Sequence, residues 1–274
     1  MAIIVIGQQL GSRGLLLGQL TAQQLGYRLI NSNDVLAAAA RRFQVTPEQL
    51  QLIDERLPHF WERLRTDTER LYAFYRAMLL KELTEDRTVA VGRATPLFVP
   101  DGVNHVLRVR AVAPFEVRKL QVAKDEKLEP AAAERRVRDY EREVRARLQT
   151  ILGLDIDDPS IYHLVLNTGA LPMACLAAIL ANCAHLADGE ASSETWVRLR
   201  DASITAQVRA ALLAHPRIGN APIEVRTVNG VVRLSSASLV PPWDELANRV
   251  VSQIEGVVSV ELGLEEPPIP PRAA

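Results

Sequence analysis

The first 26 residues, MAIIVIGQQLGSRGLLLGQLTAQQLG, constrain the fold more than any other part of the chain. Residues 2–6 are apolar and mostly β-branched, which predicts a strand that is buried on both faces of a parallel sheet and ends at Gly7. A glycine-rich turn follows, and leucines between residues 16 and 25 predict an amphipathic helix that ends at Gly26. A strand, a glycine turn and a helix in this order present backbone N–H groups at a helix N-terminus, where they attract phosphate.

The glycine turn departs from the full phosphate-loop pattern G-x-x-x-x-G-K-[ST]. Counted from Gly7, Ser12 stands at the second glycine, Arg13 at the lysine and Gly14 at the hydroxyl residue. Arginine keeps the charge of lysine but carries it on a bulky planar fork, so the replacement is not conservative. Two interpretations are open: a phosphate-binding loop that includes Gly11, or an ordinary strand-to-helix turn that binds nothing.

Composition narrows the class of protein. The chain has 274 residues, enough for two domains, and its formal net charge of -1 gives no reason to expect nucleic acid or an anionic membrane as partner. We find no basic segment before an apolar core, and the apolar run at residues 170–181 is too short to span a bilayer. Cys175 and Cys183 would lie about 12 Å apart on one helix and cannot form a disulfide with each other. We therefore expect a cytoplasmic protein without a transmembrane segment.

Strand and helix patterns alternate up to about residue 187. This alternation predicts an α/β domain, with a parallel sheet covered by helices on both faces. Arg93 ends one predicted strand, at residues 88–93. Because ligands of open α/β sheets lie beyond the carboxyl ends of the strands, Arg93 is well placed to meet an anion. The other strands are predicted at residues 27–30, 105–113 and 162–167.

Residues 134–147 predict a strongly charged helix that contains six arginines. Acidic residues within the same segment balance these arginines, which is typical of a solvated helix with internal ion pairs. The arginines are equally typical of a mobile lid that closes over transferring phosphates. The sequence leaves both interpretations open. Binding of nucleic acid by the arginine-rich segments has little support, because the acidic residues cancel the electrostatic field.

The second part of the chain has a different pattern. Small and polar residues predict a linker at residues 188–196, after a first domain at residues 1–187. Residues 197–264 predict a small α+β domain, in which an Asn-Gly pair between two alternating runs indicates a hairpin. The proline-rich residues 265–274 predict a disordered tail. Within the second domain we expect helices at 201–214 and 244–254 and strands at 223–228, 231–234 and 257–262.

Residues 1–187 resemble the cytidylate kinase-like family of P-loop kinases. The matching stretches are Gly11-Ser12-x-Gly14, Leu25-Gly26-Tyr27, Val91-Gly92-Arg93, Ala113-Pro114-x-Glu116-x-Arg118, Arg138-Asp139-x-x-Arg142-x-x-Arg145 and Asp158-Pro159-Ser160-x-Tyr162-x-Leu164-Val165-Leu166-Asn167-Thr168. The last of these is the most specific. The resemblance implies a P-loop kinase-like fold and an ATP-dependent nucleoside monophosphate kinase that acts on cytidylate.

The resemblance also implies site residues and cofactors. ATP and Mg²⁺ would be the cofactors, since phosphoryl transfer needs positioning and charge neutralisation more than covalent chemistry. No residue is predicted as a metal ligand. The implied residues are Gly7, Gly11, Ser12, Arg13 and Gly14 for the ATP phosphates, Asn31, Arg93 and Arg118 for the monophosphate acceptor such as CMP, and Arg13, Arg138, Arg142 and Arg145 for catalysis.

The phosphate loop is degenerate when it is compared with the family pattern. Arg13 stands where glycine is usual, Leu15 where a polar or basic residue is usual, and Asn31 where an aspartate is usual. A Lys-Ser/Thr pair is also absent from the loop. Two functions therefore remain open: a kinase in which Arg13 substitutes for the lysine, and a non-catalytic nucleotide sensor or scaffold that acts through the second domain.

Residues from about 197 to 264 resemble a BON domain. The matching stretches are Asp201-x-x-Ile204-x-x-x-Val208-x-x-Ala211-Leu212, Val228-Asn229-Gly230-Val231-Val232-x-Leu234 and Gly256-Val257-x-x-Val260. The resemblance implies a binding module without catalytic residues. Its ligand would be a lipid, a small molecule or another protein.

Overall fold

The computed structural model describes residues 1–46, 65–219, 221–236 and 238–263, except for the side chains of residues 65–68. The helices are α1 (Gly14–Leu25), α2 (Ser32–Phe43), α3 (Arg65–Leu83), α4 (Phe115–Asp125), α5 (Pro130–Leu152), α6 (Met173–Asp188), α7 (Ser193–Ala214) and α8 (Trp243–Val251). The strands are β1 (Ile3–Gln8), β2 (Arg28–Asn31), β3 (Thr88–Gly92), β4 (Val106–Val112), β5 (Leu164–Asn167), β6 (Glu224–Val228), β7 (Val231–Ser235) and β8 (Ser259–Gly263). Short 3-10 helices cover Thr95–Phe98 and Pro159–Ile161.

The first five strands form one parallel sheet in the order β2-β3-β1-β4-β5. Strand β1 lies at the centre of the sheet. Its side chains point alternately to the two faces and contribute to the hydrophobic core on each face. Ile3 and Val5 pack into the core that includes α2 and α3, whereas Ile4 and Ile6 pack into the core that includes α1 and α6. The predicted α/β fold, with helices on both faces of a parallel sheet, is confirmed.

Several elements begin or end at other residues than the sequence predicts, and two of these differences concern elements beside the candidate site. Strand β1 continues through Gly7 to Gln8, because Gly7 pairs with Gly92 on one side and with Arg110 on the other. The charged helix predicted at residues 134–147 is longer, since α5 runs from Pro130 to Leu152. Helix α1 ends where predicted: Gly26 has a φ of 66° and its N–H binds the carbonyl of Ala22.

The second sheet has the order β6-β7-β8, with an antiparallel β6–β7 pair and a parallel β7–β8 pair. The turn between β6 and β7 is formed by Asn229 and Gly230, whose φ angles of 51° and 76° are those of a tight hairpin turn. Fully buried residues from this sheet, α7 and α8 form the core; they include Val208, Val232 and Leu234. This sheet and its two helices agree with the predicted small α+β domain.

Helix α7 belongs to both domains, which the sequence analysis did not anticipate. It begins at Ser193, eight residues before the predicted start, because Ser192 accepts a hydrogen bond from the Thr195 N–H and caps the helix. Only residues 189–192 of the predicted linker at 188–196 therefore lie outside α6 and α7. One stripe of α7, which includes Leu199, packs with α3. A second stripe packs in the small domain and consists of Ile204, Val208 and Leu212.

The remaining predictions about the fold concern the C-terminal tail and transmembrane segments. The tail at residues 265–274 lies outside the described residues. Within the described ranges, none of the helices combines the length and the hydrophobicity that crossing a membrane requires.

Candidate functional site

The turn between β1 and α1 has the geometry that its glycines allow. Gly11 has a φ of 78°, and a Cβ at this position would lie 2.5 Å from the Arg118 carbonyl oxygen. A Cβ on Gly14 would lie 2.6 Å from the Cβ of Gln8. Both positions therefore require glycine, one for its backbone conformation and both for space. Because these two residues have no side chain, the backbone can lie against α4 at Gly11 and against Gln8 at Gly14.

Hydrogen bonds hold this turn in place. Ser12 is buried and its hydroxyl donates to the Gln9 carbonyl over 2.8 Å, while the Thr168 hydroxyl donates to the Ser12 carbonyl over 2.6 Å. The side-chain oxygen of Gln8 accepts a 2.9 Å bond from the Leu15 N–H in the first turn of α1. N–H groups of a first helical turn are the donors that bind phosphate. The amide oxygen of Gln8 thus occupies a donor that a phosphate oxygen would use.

Arg13 is the residue that precedes α1, and it has a left-handed backbone with a φ of 59°. This conformation favours glycine, the residue that the family pattern has here. Its side chain is exposed and makes no hydrogen bond or ion pair with any residue that the structure describes. A free cation therefore stands at the N-terminus of α1, where it adds to the positive end of the helix dipole.

Arg93 lies between two small cavities at the carboxyl edge of the sheet. It follows β3, and its guanidinium carbon lies 4.2 Å from the centre of the Tyr140 ring of α5. Each cavity has a volume of about 20 Å³, enough for about one water molecule. One is mostly apolar and aromatic and is lined by Ser32, Leu36, Tyr72, Tyr75, Arg93, Ala94, Phe98, Val144 and Leu148. The other, the polar cavity, is lined mostly by residues with polar or charged side chains: Gln8, Gln9, Leu10, Arg93, Arg110, Tyr140, Glu141, Val144, Arg145, Ile156 and Asp157.

The polar cavity contains two arginines that share one carboxylate. Arg110 of β4 is buried, with Nη2 3.3 Å from Oδ1 of Asp157. Arg145 of α5 donates from Nε to Oδ2 of the same carboxylate over 3.0 Å and also contacts it through Nη2. The hydrogen bond and the charge of Asp157 raise the pKa of Arg145. Asp157 therefore ties α5 to the centre of the sheet.

The structure places the predicted site residues in different surroundings. Arg93 and Arg145 line the cavities. Arg118 is buried and donates to the Ala113 carbonyl over 2.9 Å and to Glu141 of α5 over 2.5 Å. Asn31 caps α2, because its side-chain oxygen accepts hydrogen bonds from the N–H groups of Asn33 and Asp34 in the first turn of that helix. The roles that the family resemblance gives to Arg118 and Asn31 remain predictions.

The other two predicted lid arginines are exposed and form ion pairs within α5. Arg138 pairs with Glu134 over 3.1 Å and lies over the Phe115 ring, whereas Arg142 pairs with Asp139 over 2.7 Å. Neither of them lines a cavity described above. Both side chains therefore have the solvated, ion-paired surroundings of the first interpretation. Arg145 follows Arg138 by seven residues on the same side of α5 but binds Asp157 and lines the polar cavity. The lid interpretation remains a prediction.

Sequence reasoning missed Arg110 and Asp157. A signal for Arg110 was present: it is a charged residue inside an otherwise apolar strand, Val106–Val112, and such a residue in a buried strand needs a partner or a ligand. Asp157 lies in a turn that the sequence marks only as a turn, and nothing in its spacing connects it with Arg110.

The residues of the turn can be tested against the cofactors that the resemblance implies. Glycines, the first turn of α1 and the exposed Arg13 fit the phosphates of a nucleotide. The turn does not provide a side-chain ligand for Mg²⁺ at the usual position, because Gly14 stands where the hydroxyl residue would be needed. Across the described residues, no three His, Cys, Asp or Glu side chains are grouped closely enough to hold a metal ion.

A larger cleft of about 610 Å³ lies where the two domains meet. It is lined by the C-terminal end of α3, by one face of α7 and by the Asn229-Gly230 turn. Lys81 of α3 forms a 3.2 Å ion pair with Glu255 of the small domain across this cleft. Its volume lies in the range of small-molecule sites.

The sheet order β2-β3-β1-β4-β5, with a glycine turn between the central strand and α1, defines the first domain as a P-loop kinase fold. The sequence profile of the cytidylate kinase-like family matches residues 3–170, and the chain belongs to that family. The profile of the BON domain matches residues 200–235.

Relatives with assigned names and a solved structure agree with this classification. Cytidylate kinase of Archaeoglobus fulgidus is 28% identical over 167 residues, which cover 61% of this chain and 86% of that protein. Cytidylate kinase of Methanopyrus kandleri is 27% identical over 166 residues, covering 61% and 84%. The crystal structure of an uncharacterized protein from Eubacterium ventriosum covers 68% of this chain and 99% of its own, with a TM-score of 0.51 and 13% identity. That structure supports the fold alone.

Proposed function

We propose that the first domain is a nucleoside monophosphate kinase that uses ATP and acts on cytidylate or a similar nucleotide. The position of Arg93 between the aromatic and the polar cavity carries this proposal. An aromatic pocket suits a nucleobase and a pocket with several arginines suits a phosphate, so Arg93 lies where the two parts of a nucleotide would meet. The cytidylate kinases among its relatives support the same substrate class.

Helix α5 would act as the lid in this proposal. It covers both cavities, because Val144 lines the two of them and Tyr140 lies against Arg93. Cavities of about 20 Å³ cannot hold a nucleotide, since small-molecule sites measure about 300 Å³ or more. Displacement of α5 would join the two cavities into one cleft. Lids of this kind exclude water from a transferring phosphoryl group.

The ATP phosphates would lie at the N-terminus of α1, beside the turn that contains Gly11, Ser12 and Gly14. Arg13 would supply the cation that lysine provides in a complete phosphate loop, at the cost of a strained backbone. Mg²⁺ would add charge neutralisation between the phosphates. Gln8 would have to release the Leu15 N–H as the phosphates bind.

Calorimetric titration of the full chain with Mg-ATP and with CMP tests this proposal. We expect both nucleotides to bind, and Arg13→Ala to lose ATP binding while it keeps CMP binding. Arg87→Ala is the matched control, because Arg87 is also an exposed arginine with a left-handed φ of 51° but lies near the N-terminal end of β3. Unchanged ATP binding by Arg13→Ala would remove Arg13 from the mechanism. Failure of the folded chain to bind either nucleotide would contradict the kinase.

The second candidate is a non-catalytic sensor or scaffold in the cytoplasm that acts through the BON domain. The cleft of about 610 Å³ between the domains favours it, since this space is large enough for a small molecule, whereas the cavities beside Arg93 have volumes of about 20 Å³ each. A lipid, a small molecule or a protein segment would be the ligand. Phosphoryl transfer separates the candidates, because a nucleotide sensor or a scaffold would release no ADP from Mg-ATP in response to CMP, whether or not it binds the nucleotides.

A further inference from the structure

We infer that Arg110 and Arg145 form a binding site for a phosphate dianion, and that the Asp157 carboxylate occupies this site in the structure as a stand-in for the ligand. The identification of the ligand as the phosphate of a nucleoside monophosphate rests on the proposed function. The anion site itself rests on the geometry of the polar cavity.

The hydrogen bonding of Arg110 is incomplete. Its side chain is only 6% exposed, yet its bonds to Asp157 and to the Arg93 carbonyl are long, at 3.3 and 3.5 Å. Its Nε is buried and has no hydrogen-bond partner among the described residues. Buried polar groups are normally satisfied, and a guanidinium has five donors in one plane. An anion with several oxygens would satisfy donors that one carboxylate oxygen leaves unused.

The position of Asp157 allows its side chain to move away from the two arginines. It lies in the turn between α5 and β5, outside any helix or strand, and its side chain is 34% exposed. One carboxylate oxygen faces Arg110 and the other faces Arg145. These are the two contacts that a phosphate would make with a pair of forked guanidiniums.

The charge of the cavity fits an anion. Three arginines line it, and of the two lining carboxylates Glu141 is bonded to Arg118 outside the cavity. Removal of Asp157 would therefore leave Arg93, Arg110 and Arg145 around one space. The same cavity is bounded by residues 8–10 at the end of β1, so an anion there would lie beside the turn that precedes α1.

Titration of the full chain with inorganic phosphate tests the site. Asp157→Asn removes the competing charge with little change in shape. We expect it to bind phosphate roughly tenfold more tightly than the wild type, because the ligand no longer competes with the carboxylate. Asp158→Asn is the matched control: it makes the same change in net charge, and Asn can still accept the Ser160 N–H bond that Asp158 accepts. This control should bind phosphate as the wild type does.

Replacement of an arginine in the Asp157→Asn variant tests whether the gain in phosphate affinity arises at this site. In the Asp157→Asn background, Arg145→Gln should abolish the gain; Arg145 is exposed enough that its loss should not unfold the chain, which circular dichroism verifies. Equal phosphate affinity of the wild type and Asp157→Asn would overturn the inference, and so would an equal gain in Asp158→Asn. If phosphate binding improves as expected but CMP fails to bind any variant, the anion site stands and the proposed nucleotide substrate is wrong.

Discussion

His105 should make the stability of the chain depend on pH. Its ring is fully buried just before β4, where it packs on Trp196 of α7 and Nδ1 lies 3.0 Å from the Thr195 hydroxyl. Nε2 is buried and has no hydrogen-bond partner in the part of the chain that is described. Burial, followed by the charge of the N-terminal amine, lowers the pKa of His105 from 6.5 to about 4. The folded protein therefore holds this ring neutral.

The direction of the effect follows from proton uptake. In the unfolded chain His105 binds a proton as the pH falls below about 6.5, whereas in the folded chain it does so only near pH 4. Its contribution to stability is complete above pH 6.5 and decreases as the pH falls toward 4. With about 1.4 kcal/mol per pKa unit, the free energy of unfolding should decrease by about 2 kcal/mol between about pH 7.5 and about pH 5.

Urea unfolding at the two pH values, for the wild type and for His105→Gln, measures this effect. Glutamine can keep a hydrogen bond with Thr195 and does not titrate. The wild type should therefore lose about 2 kcal/mol more than the variant on acidification. Burial and then the charge of Arg108 also lower the pKa of His163, but His163 is present in both proteins and its effect cancels. Equal losses in the two proteins would show that protonation of His105 does not cause the loss of stability.

Two further predictions concern the phosphate turn and the helix shared by the domains. Gly11→Ala should destabilise the fold by about 3 kcal/mol, because the methyl would lie 2.5 Å from the Arg118 carbonyl and the backbone is left-handed. Gly26→Ala, with a φ of 66° and nothing within 4 Å, should cost only about 1 kcal/mol; equal thermal shifts would contradict the close contact of Gly11. Leu199→Ala should cost about 3 kcal/mol, since Leu199 is fully buried against α3. Because α7 lies in both cores, calorimetry should show one transition in this variant, and two separate transitions would count against the shared helix.

Local signals in the sequence were enough to predict most of the fold. The β-branched run of β1, the glycine after α1 and the Asn-Gly turn each depend on a few neighbouring residues, so their physics can be seen without a tertiary structure. The packing of helix α7 in both domains was harder to predict. Ile204 and Val208, in the stripe that packs in the small domain, belong to a stretch that resembles a BON domain, but the stripe that packs with α3 is made of Leu199 and small residues such as Ala206 and Ala210. Alanines form a core only because α3 approaches closely, which the sequence does not reveal.

The candidate site was predictable only in part. Arg93 follows a recognisable strand, and the position of ligands at the carboxyl edge of a parallel sheet is a general rule. The pairing of Arg110 with Asp157 joins residues 47 positions apart and depends on where one turn lies relative to the sheet. The closed cavities beside Arg93 depend in the same way on the packing of α5. Such distant contacts leave no pattern in a single sequence.

Transfer of phosphate from ATP to CMP is the activity that a nucleoside monophosphate kinase of this kind must have, and it can be measured with the full chain. The full chain is mixed with Mg-ATP, and the release of ADP is measured with and without CMP. We expect ADP release that depends on CMP and that Arg93→Gln reduces about a hundredfold, because misplacement of the acceptor nucleotide slows the transfer by about this factor. Arg87→Gln, an exposed control on the loop before β3, should leave the rate unchanged. If folded wild-type protein releases no ADP in response to CMP, the first domain is not a cytidylate kinase.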